Sequence, residues 1–161
     1  MLQRAATRVR EQHRGPRALV GALSAQRGGR IAPHSSHRNG RDADVGLFLL
    51  DVEGAPVEAD RFVEIGGDGC GDDRGTRYCL DAERTFALLA AMLEDPTARV
   101  QWFLIAEDVR SRILEAGRHS GASEELVLRL ATATEPHGGS AQHRDHVHLR
   151  IYCAADDRPG C

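Results

Sequence analysis

The chain has 161 residues, of which 41% are hydrophobic and 28% charged, and its formal net charge is -3. This size and balance predict one soluble globular domain spanning 1–161, not a disordered or membrane-spanning chain. All basic residues other than histidine are arginine, so lysine-based covalent chemistry is excluded. The interspersed charges offer no basic face for nucleic acid, and no apolar run approaches the roughly 20 residues needed to cross a bilayer.

The first half of the chain predicts one helix followed by short strands and polar loops. Apolar spacing and turn residues give these expected elements: a helix at 3–13, a buried strand at 18–23, an irregular loop at 24–43, a strand at 44–52, a short strand at 61–66 and a loop at 66–79. The loop at 24–43 is rich in Gly, Ser and Arg, and loops of that length in compact domains are usually functional.

The second half has a clearer helical pattern. Apolar residues recur with helical spacing after Asp81, which we expect to cap a helix that ends before Pro96. The remaining expected elements are a strand at 100–106, helices at 107–117 and 123–133, a loop at 135–142 and a final strand at 146–152. Together they predict an α+β fold, in which helices flank a small, mainly antiparallel β-sheet.

The four cysteines are Cys70, Cys79, Cys153 and Cys161. Their spacings match no tetrahedral CxxC zinc site, and they allow three disulfide pairings. The simplest pairing joins Cys70 to Cys79 around the Gly/Asp-rich loop, and free thiols are the alternative.

Six of the eight histidines lie in or beside two loops: His34, His37, His137, His143, His146 and His148. Side chains alternate between the faces of a strand. In the last strand, His146, His148 and Arg150 therefore share one face, and Val147 and Leu149 share the other. We expect the second face to join the core and the first to carry a polar site.

A metal site needs ligands from a second segment. His37 and Asp44, seven residues apart, are placed to join His148, and Asp42 lies on the same side if its strand starts early. Two imidazoles and one carboxylate leave a coordination position open, which is typical of catalytic zinc. The plain alternative is a polar strand face that binds nothing, because HxH pairs on strands are common.

The segments SHRNGRDADVG and HRDHVHLRIYC resemble the penicillin-insensitive murein endopeptidases. These belong to a broader group with lysostaphin-type enzymes, D-Ala-D-Ala peptidases and the hedgehog signalling domain. The shared pattern is a His, a six-residue spacer, an Asp and a later HxH. The endopeptidase branch adds a His three residues before each part, matched here by His34 and His143, and the resemblance covers roughly 17–153.

The resemblance implies a zinc site at the sheet face with three ligands: His37, Asp44 and His148. It implies that His146 acts on the attacking water or the developing oxyanion, and that His34 and His143 line the site. A histidine with an unperturbed pKa of about 6.5 would suit proton transfer near neutrality. Asp145 is either a partner that orients an imidazole or a solvated charge.

The implied function is hydrolysis of peptidoglycan cross-bridges of the D-alanyl to meso-diaminopimelyl type. Alternatives are a D-Ala-D-Ala carboxypeptidase or dipeptidase, and a zinc-stabilised binding domain without turnover; His146 beside His148 argues against the last. Three arginines are candidates for pairing with substrate carboxylates, or are ordinary surface charges: Arg38, Arg41 and Arg150.

The resemblance also implies a periplasmic or secreted location. The opening stretch MLQRAATRVREQHRG lacks the apolar centre of a signal peptide, so it is not expected to act as an export signal.

Overall fold

The computed structural model describes residues 1–25, 27–32, 34, 36–138 and 140–154. Within them the chain forms four α-helices: α1 (Leu2–Gln12), α2 (Ala82–Leu93), α3 (Glu107–His119) and α4 (Glu124–Ala133). It also forms eight strands: β1 (Val20–Leu23), β2 (Asp42–Gly46), β3 (Leu49–Leu50), β4 (Pro56–Val57), β5 (Cys70–Asp73), β6 (Thr76–Leu80), β7 (Val100–Leu104) and β8 (His146–Ile151). The α+β class is confirmed.

The strands divide into two four-stranded sheets, and every ladder is antiparallel. The first sheet has the order β1-β2-β8-β7, and the second has the order β4-β3-β6-β5. In the first sheet β8, the last strand among the described residues, lies between β2 and β7 and so occupies a central position. Side chains on β8 therefore have neighbours from two other strands on each face.

The two faces of the first sheet differ in the way the alternation predicts. One face is buried in the hydrophobic core and carries Ala43, Val45, Phe103, Val147 and Leu149. The same core contains apolar side chains of all four helices, which flank this side. The other face carries polar and aromatic side chains, so the candidate site lies on a sheet whose opposite face is packed into the core.

The helices form where the apolar period places them. The side chain of Asp81 accepts a hydrogen bond from the backbone N–H of Arg84, which satisfies one of the free donors at the start of α2. Ser123 caps α4 in the same way through Leu126. The expected cap at Asp81 and the end of the helix before Pro96 are confirmed.

Four sequence expectations are wrong in detail. The strand expected to be buried at 18–23 forms as β1, but its Val20 and Leu23 side chains are exposed. The expected strand at 44–52 starts earlier, at Asp42, and β2 ends at Gly46. The segment 61–66 pairs with no strand among the described residues, although Val63 and Ile65 are buried as in a strand. The expected loop at 66–79 is instead largely the hairpin of β5 and β6.

Cys70 and Cys79 form a disulfide that crosses this hairpin, as expected. The two residues face each other in the β5–β6 ladder. Cys161, the last of the four cysteines, lies outside the described residues. An intramolecular disulfide is consistent with an extracytoplasmic protein. None of the helices in the described ranges combines the length and the apolar character that crossing a bilayer requires.

Candidate metal centre

The register between β2 and β8 brings the polar residues of the two strands together. Asp44 lies opposite His148, and Asp42 lies opposite Arg150. One step further along the same face, His146 lies opposite Gly46, which has no side chain. The carboxylates of β2 therefore meet the imidazoles of β8 on the polar face of the first sheet.

The loop that precedes β2 adds two histidines above this face. His37 is fully buried, with 0% of its surface exposed, and His34 is partly exposed. Their rings lie 4.3 Å apart between centroids. The loop expected at 24–43 ends where β2 begins, at Asp42, and it brings His34 and His37 close to Asp44.

Three donor atoms form a small triangle. His37 Nε2 lies 3.2 Å from Asp44 Oδ1 and 3.2 Å from His148 Nδ1. The third edge, from His148 Nδ1 to Asp44 Oδ1, is 3.0 Å. Zinc bonds of about 2.0–2.1 Å in a tetrahedral site separate neighbouring ligand atoms by about 3.3 Å. The triangle therefore has the size of one face of a zinc coordination tetrahedron.

Two polar atoms of this cluster are buried without a hydrogen-bond partner among the described residues: Asp44 Oδ1 and His37 Nδ1. Asp44 Oδ1 lies close to imidazole nitrogens, yet none of these contacts has hydrogen-bond geometry. Leaving a buried carboxylate oxygen unsatisfied is costly. A cation among the donors would remove that cost, so these residues fit a metal ion.

His34 extends the cluster on the loop side. Its Nδ1 lies 3.6 Å from Asp44 Oδ2, and ligand atoms of His34, His37 and Asp44 all lie within 4.8 Å of one another. A His-His-Asp cluster that could bind a metal ion is therefore present. The tighter grouping replaces His34 with His148, and we regard that set as the better candidate because its edges match metal coordination.

His146 lies beside the triangle but outside it. Its Nε2 is 3.5 Å from Asp44 Oδ1, and its Nδ1 is 2.6 Å from Asp145 Oδ1. The ring of Phe62 stacks on the imidazole at 4.9 Å, and the ring of His143 meets it edge-on at 5.0 Å. Of the two roles considered for Asp145, contact with an imidazole is the one the geometry supports.

The electrostatics of His146 differ from the sequence expectation. Burial disfavours its charged form, but the carboxylates of Asp145 and Asp44 outweigh burial and raise the pKa of His146 to about 9. The expectation of an unperturbed pKa is therefore wrong for the chain by itself. A cation bound at Asp44 would lower the pKa of His146 again, because like charges disfavour protonation.

The pKa shifts of His37 and Asp44 suit a cation site, whereas that of His148 favours its protonated form when no cation is bound. Burial lowers the pKa of His37, although Asp44 opposes this shift, so the neutral imidazole that binds metals prevails at neutral pH. Burial opposes charge on His148 too, but Asp42 and Asp44 raise its pKa. Burial would raise the pKa of Asp44, yet the imidazoles of His146 and His148 hold it below its ordinary value.

The structure brings all six sequence-predicted site residues into one cluster: His34, His37, Asp44, His143, His146 and His148. Sequence reasoning placed Asp42 on the correct side but gave it no role, and it missed Phe62 and Trp102. The ring of Trp102 stacks on that of His148 at 5.6 Å. The apolar stretch VQWFLIA predicts a strand but does not show which face of the sheet Trp102 lies on. That depends on the register of β7 with β8, in which Trp102 lies opposite Arg150.

The arginines suggested as substrate partners differ in their surroundings. Arg150 is engaged within the protein by Asp42. The Nε of Arg41 donates to Asn39 Oδ1 at 3.4 Å, and Arg38 is exposed on the same loop. Only Arg38 and Arg41 therefore keep the substrate-pairing hypothesis.

Comparison with protein-family models, with curated proteins and with solved structures finds no match to this chain.

Proposed function

We propose that this chain is a zinc-dependent peptidase whose metal ligands are His37, Asp44 and His148. The observation that carries the proposal is the donor triangle, with edges of 3.0–3.2 Å and an unsatisfied carboxylate oxygen at one corner. Two nitrogens and one oxygen are a ligand set typical of catalytic zinc, which keeps a position open for water or substrate.

A bound zinc ion would act as a Lewis acid that polarises the scissile carbonyl and makes water more acidic. The chain's own contribution is His146, the imidazole next to the triangle. Asp145 holds its Nδ1 side, so Nε2 is the nitrogen that faces the site and exchanges a proton with water or the oxyanion. A site serving only structure would have no use for this second imidazole.

The proposed substrate is the peptide part of peptidoglycan, cut at D-alanyl to meso-diaminopimelyl cross-bridges. The resemblance of SHRNGRDADVG and HRDHVHLRIYC to murein endopeptidases supports this choice, including His34 and His143. Action on the cell wall would require a periplasmic or secreted location, with which the Cys70–Cys79 disulfide is consistent.

The test is incubation of the zinc-loaded protein with cross-linked muropeptide dimers, with and without a chelator, followed by mass analysis of the products. Zinc-dependent conversion of dimers to monomers supports the endopeptidase. Release of only terminal D-alanine from monomers would instead identify a carboxypeptidase. Zinc binding without any turnover would identify a binding domain and contradict the proposal.

A further inference from the structure

We infer that Asp42, Arg150 and Trp102 form a positioning unit that holds His148 in the tautomer whose Nδ1 is free to bind the metal. The inference rests on the proposed zinc site and assigns roles to three side chains that contribute no ligand atom. Asp42 and Trp102 contact the donor triangle through His148, and Arg150 acts on it through Asp42.

The first contact fixes the proton on His148. Asp42 Oδ1 lies 2.9 Å from His148 Nε2, and the Asp42 side chain has no exposed surface. An ionised carboxylate only accepts hydrogen bonds, so Nε2 must carry the proton in this contact. In the neutral ring the lone pair is then on Nδ1, the atom that faces His37 and Asp44. A carboxylate behind a metal-binding histidine sets its tautomer and orientation in this way.

The second contact keeps Asp42 ionised and in place. Arg150 Nη2 donates to Asp42 Oδ2 at 3.0 Å, and Arg150 Nε lies 3.0 Å from Oδ1. The two residues face each other across β2 and β8, so the ladder itself sets their distance. A buried carboxylate needs such a partner, because an unpaired buried charge is strongly destabilising. Arg150 therefore supports the metal site through Asp42, and its guanidinium is not available to bind substrate.

The third contact closes the unit from the neighbouring strand. Trp102 of β7 lies opposite Arg150 of β8. Its ring stacks on His148 at 5.6 Å with an interplanar angle of 25°, and the guanidinium carbon of Arg150 lies 5.2 Å from the ring centroid. One aromatic surface thus restrains both the imidazole and the arginine that holds Asp42. Three adjacent strands each supply one member, so the unit is as rigid as the sheet.

The experiment compares zinc affinity, measured by competition with a chromogenic chelator, in the full chain and three variants. In Asp42→Asn the amide nitrogen can donate to Nε2 and move the proton to Nδ1, so zinc binding should weaken by about 10- to 100-fold. Arg150→Gln should weaken it by about tenfold, because Asp42 loses its partner. The matched control is Asp95→Asn: this carboxylate, 1% exposed against 0% for Asp42, is likewise held by an arginine, Arg4. Its partners among the described residues include no histidine, so affinity should not change.

A second readout does not depend on substitution. Long-range ¹H–¹⁵N correlation spectra of the zinc-loaded protein should show the proton of His148 on Nε2, and a proton on Nδ1 overturns the inference. If Asp42→Asn fails to fold by circular dichroism, these spectra and Arg150→Gln decide.

The outcomes separate this inference from the proposed function. Zinc binding by the wild type with unchanged affinity in Asp42→Asn and Arg150→Gln overturns the positioning unit and leaves the zinc peptidase standing. A wild-type chain that binds no zinc overturns both. Loss of affinity in Asp95→Asn as large as in Asp42→Asn means that general destabilisation explains the effect, and it also overturns the inference.

Discussion

His146 and His148 are two residues apart on one strand face, yet their nitrogens have different surroundings. His148 Nδ1 lies 3.0–3.2 Å from the two other proposed ligand atoms, and its Nε2 is bonded to Asp42. His146 has Asp145 on one nitrogen and lies 3.5 Å from Asp44 on the other. We infer from these surroundings that His148 binds the metal and His146 transfers protons.

The division of roles predicts different results for two alanine variants. His148→Ala removes a ligand, so it should lose both zinc and activity. His146→Ala removes only a proton-transfer group, so it should keep nearly full zinc content while turnover falls by about 100- to 10,000-fold. Zinc content by atomic emission, together with turnover of muropeptide dimers, distinguishes the two.

His119→Ala is the control, because that histidine lies exposed at the end of α3 and should tolerate substitution with both properties unchanged. Release of zinc by His146→Ala as complete as that by His148→Ala would make both residues ligands. The proposed division of labour would then be wrong even for an active peptidase.

At the residue scale, the sequence pattern was sufficient to group the histidines with Asp44 but not to find what supports them. Strand alternation placed His146 and His148 on one face from sequence alone. Phe62 could not be found this way, because it reaches His146 from a segment outside the sheet and fits where Gly21 leaves space. A Cβ atom on Gly21 would lie 2.5 Å from Phe62 Cζ.

At the scale of elements, α2 and α3 pack closely because Gly117 of α3 faces Phe86 of α2. A Cβ on Gly117 would lie 2.2 Å from Phe86 Cε2, so Gly117→Ala must displace a buried aromatic ring. We expect the free energy of unfolding to fall by about 1–3 kcal/mol, despite the better helix propensity of alanine. Urea denaturation followed by circular dichroism measures the change.

Glu115→Ala serves as the comparison for Gly117→Ala, because Glu115 is exposed on the same helix and its replacement should change stability by less than about 0.5 kcal/mol. If Gly117→Ala and the wild type have equal free energies of unfolding, the close packing of Gly117 against Phe86 does not contribute to stability, and the prediction is wrong.

The β5–β6 hairpin depends on its disulfide. The bridge closes a sequence separation of nine residues, which in the chain-entropy model stabilises the fold by about 2–3 kcal/mol. Replacing Cys70 and Cys79 together by serine should therefore lower the denaturation midpoint. A variant as stable as the oxidised wild type would show that the strand ladder alone specifies this hairpin.

The helices were predictable because their apolar period is long, and α2 and α4 also have capping side chains, Asp81 and Ser123. The short strands lacked such signals. The β5–β6 turn uses Arg74 at φ 50° and Gly75 at φ 81°. A two-residue turn of this kind normally carries Asn-Gly or Asp-Gly, so Arg-Gly did not signal a hairpin. Segment 61–66 has the residue alternation of a strand, but it forms no strand ladder among the described residues. Instead, the backbone N–H of Ile65 donates a hydrogen bond to the C=O of Arg144.

On the scale of the whole molecule, acid stability depends on carboxylates paired across the fold. Arg144, just before β8, bonds to Asp108 at the start of α3 and lowers the pKa of that carboxyl. A carboxyl whose pKa is lower in the folded chain stabilises the fold above its unfolded value of about 3.9, and this stabilisation is lost as pH falls.

Asp108→Asn should therefore reduce stability at pH 7 and make little difference at pH 2. Because both side chains are about a third exposed, the loss at neutral pH should not exceed about 1 kcal/mol. Denaturant titrations of both proteins at the two pH values measure it. A loss of equal size at both would assign the effect to packing instead of charge.

The central claim is that one zinc ion joins the loop before β2 to the β2–β8 pair, and an anomalous difference map at the zinc edge tests it most directly. In crystals grown with zinc and without chelator, we predict one peak per chain at about 2.0–2.2 Å from His37 Nε2, Asp44 Oδ1 and His148 Nδ1. A map without a peak at these atoms, or with a peak held by His34 and not His148, would contradict the account.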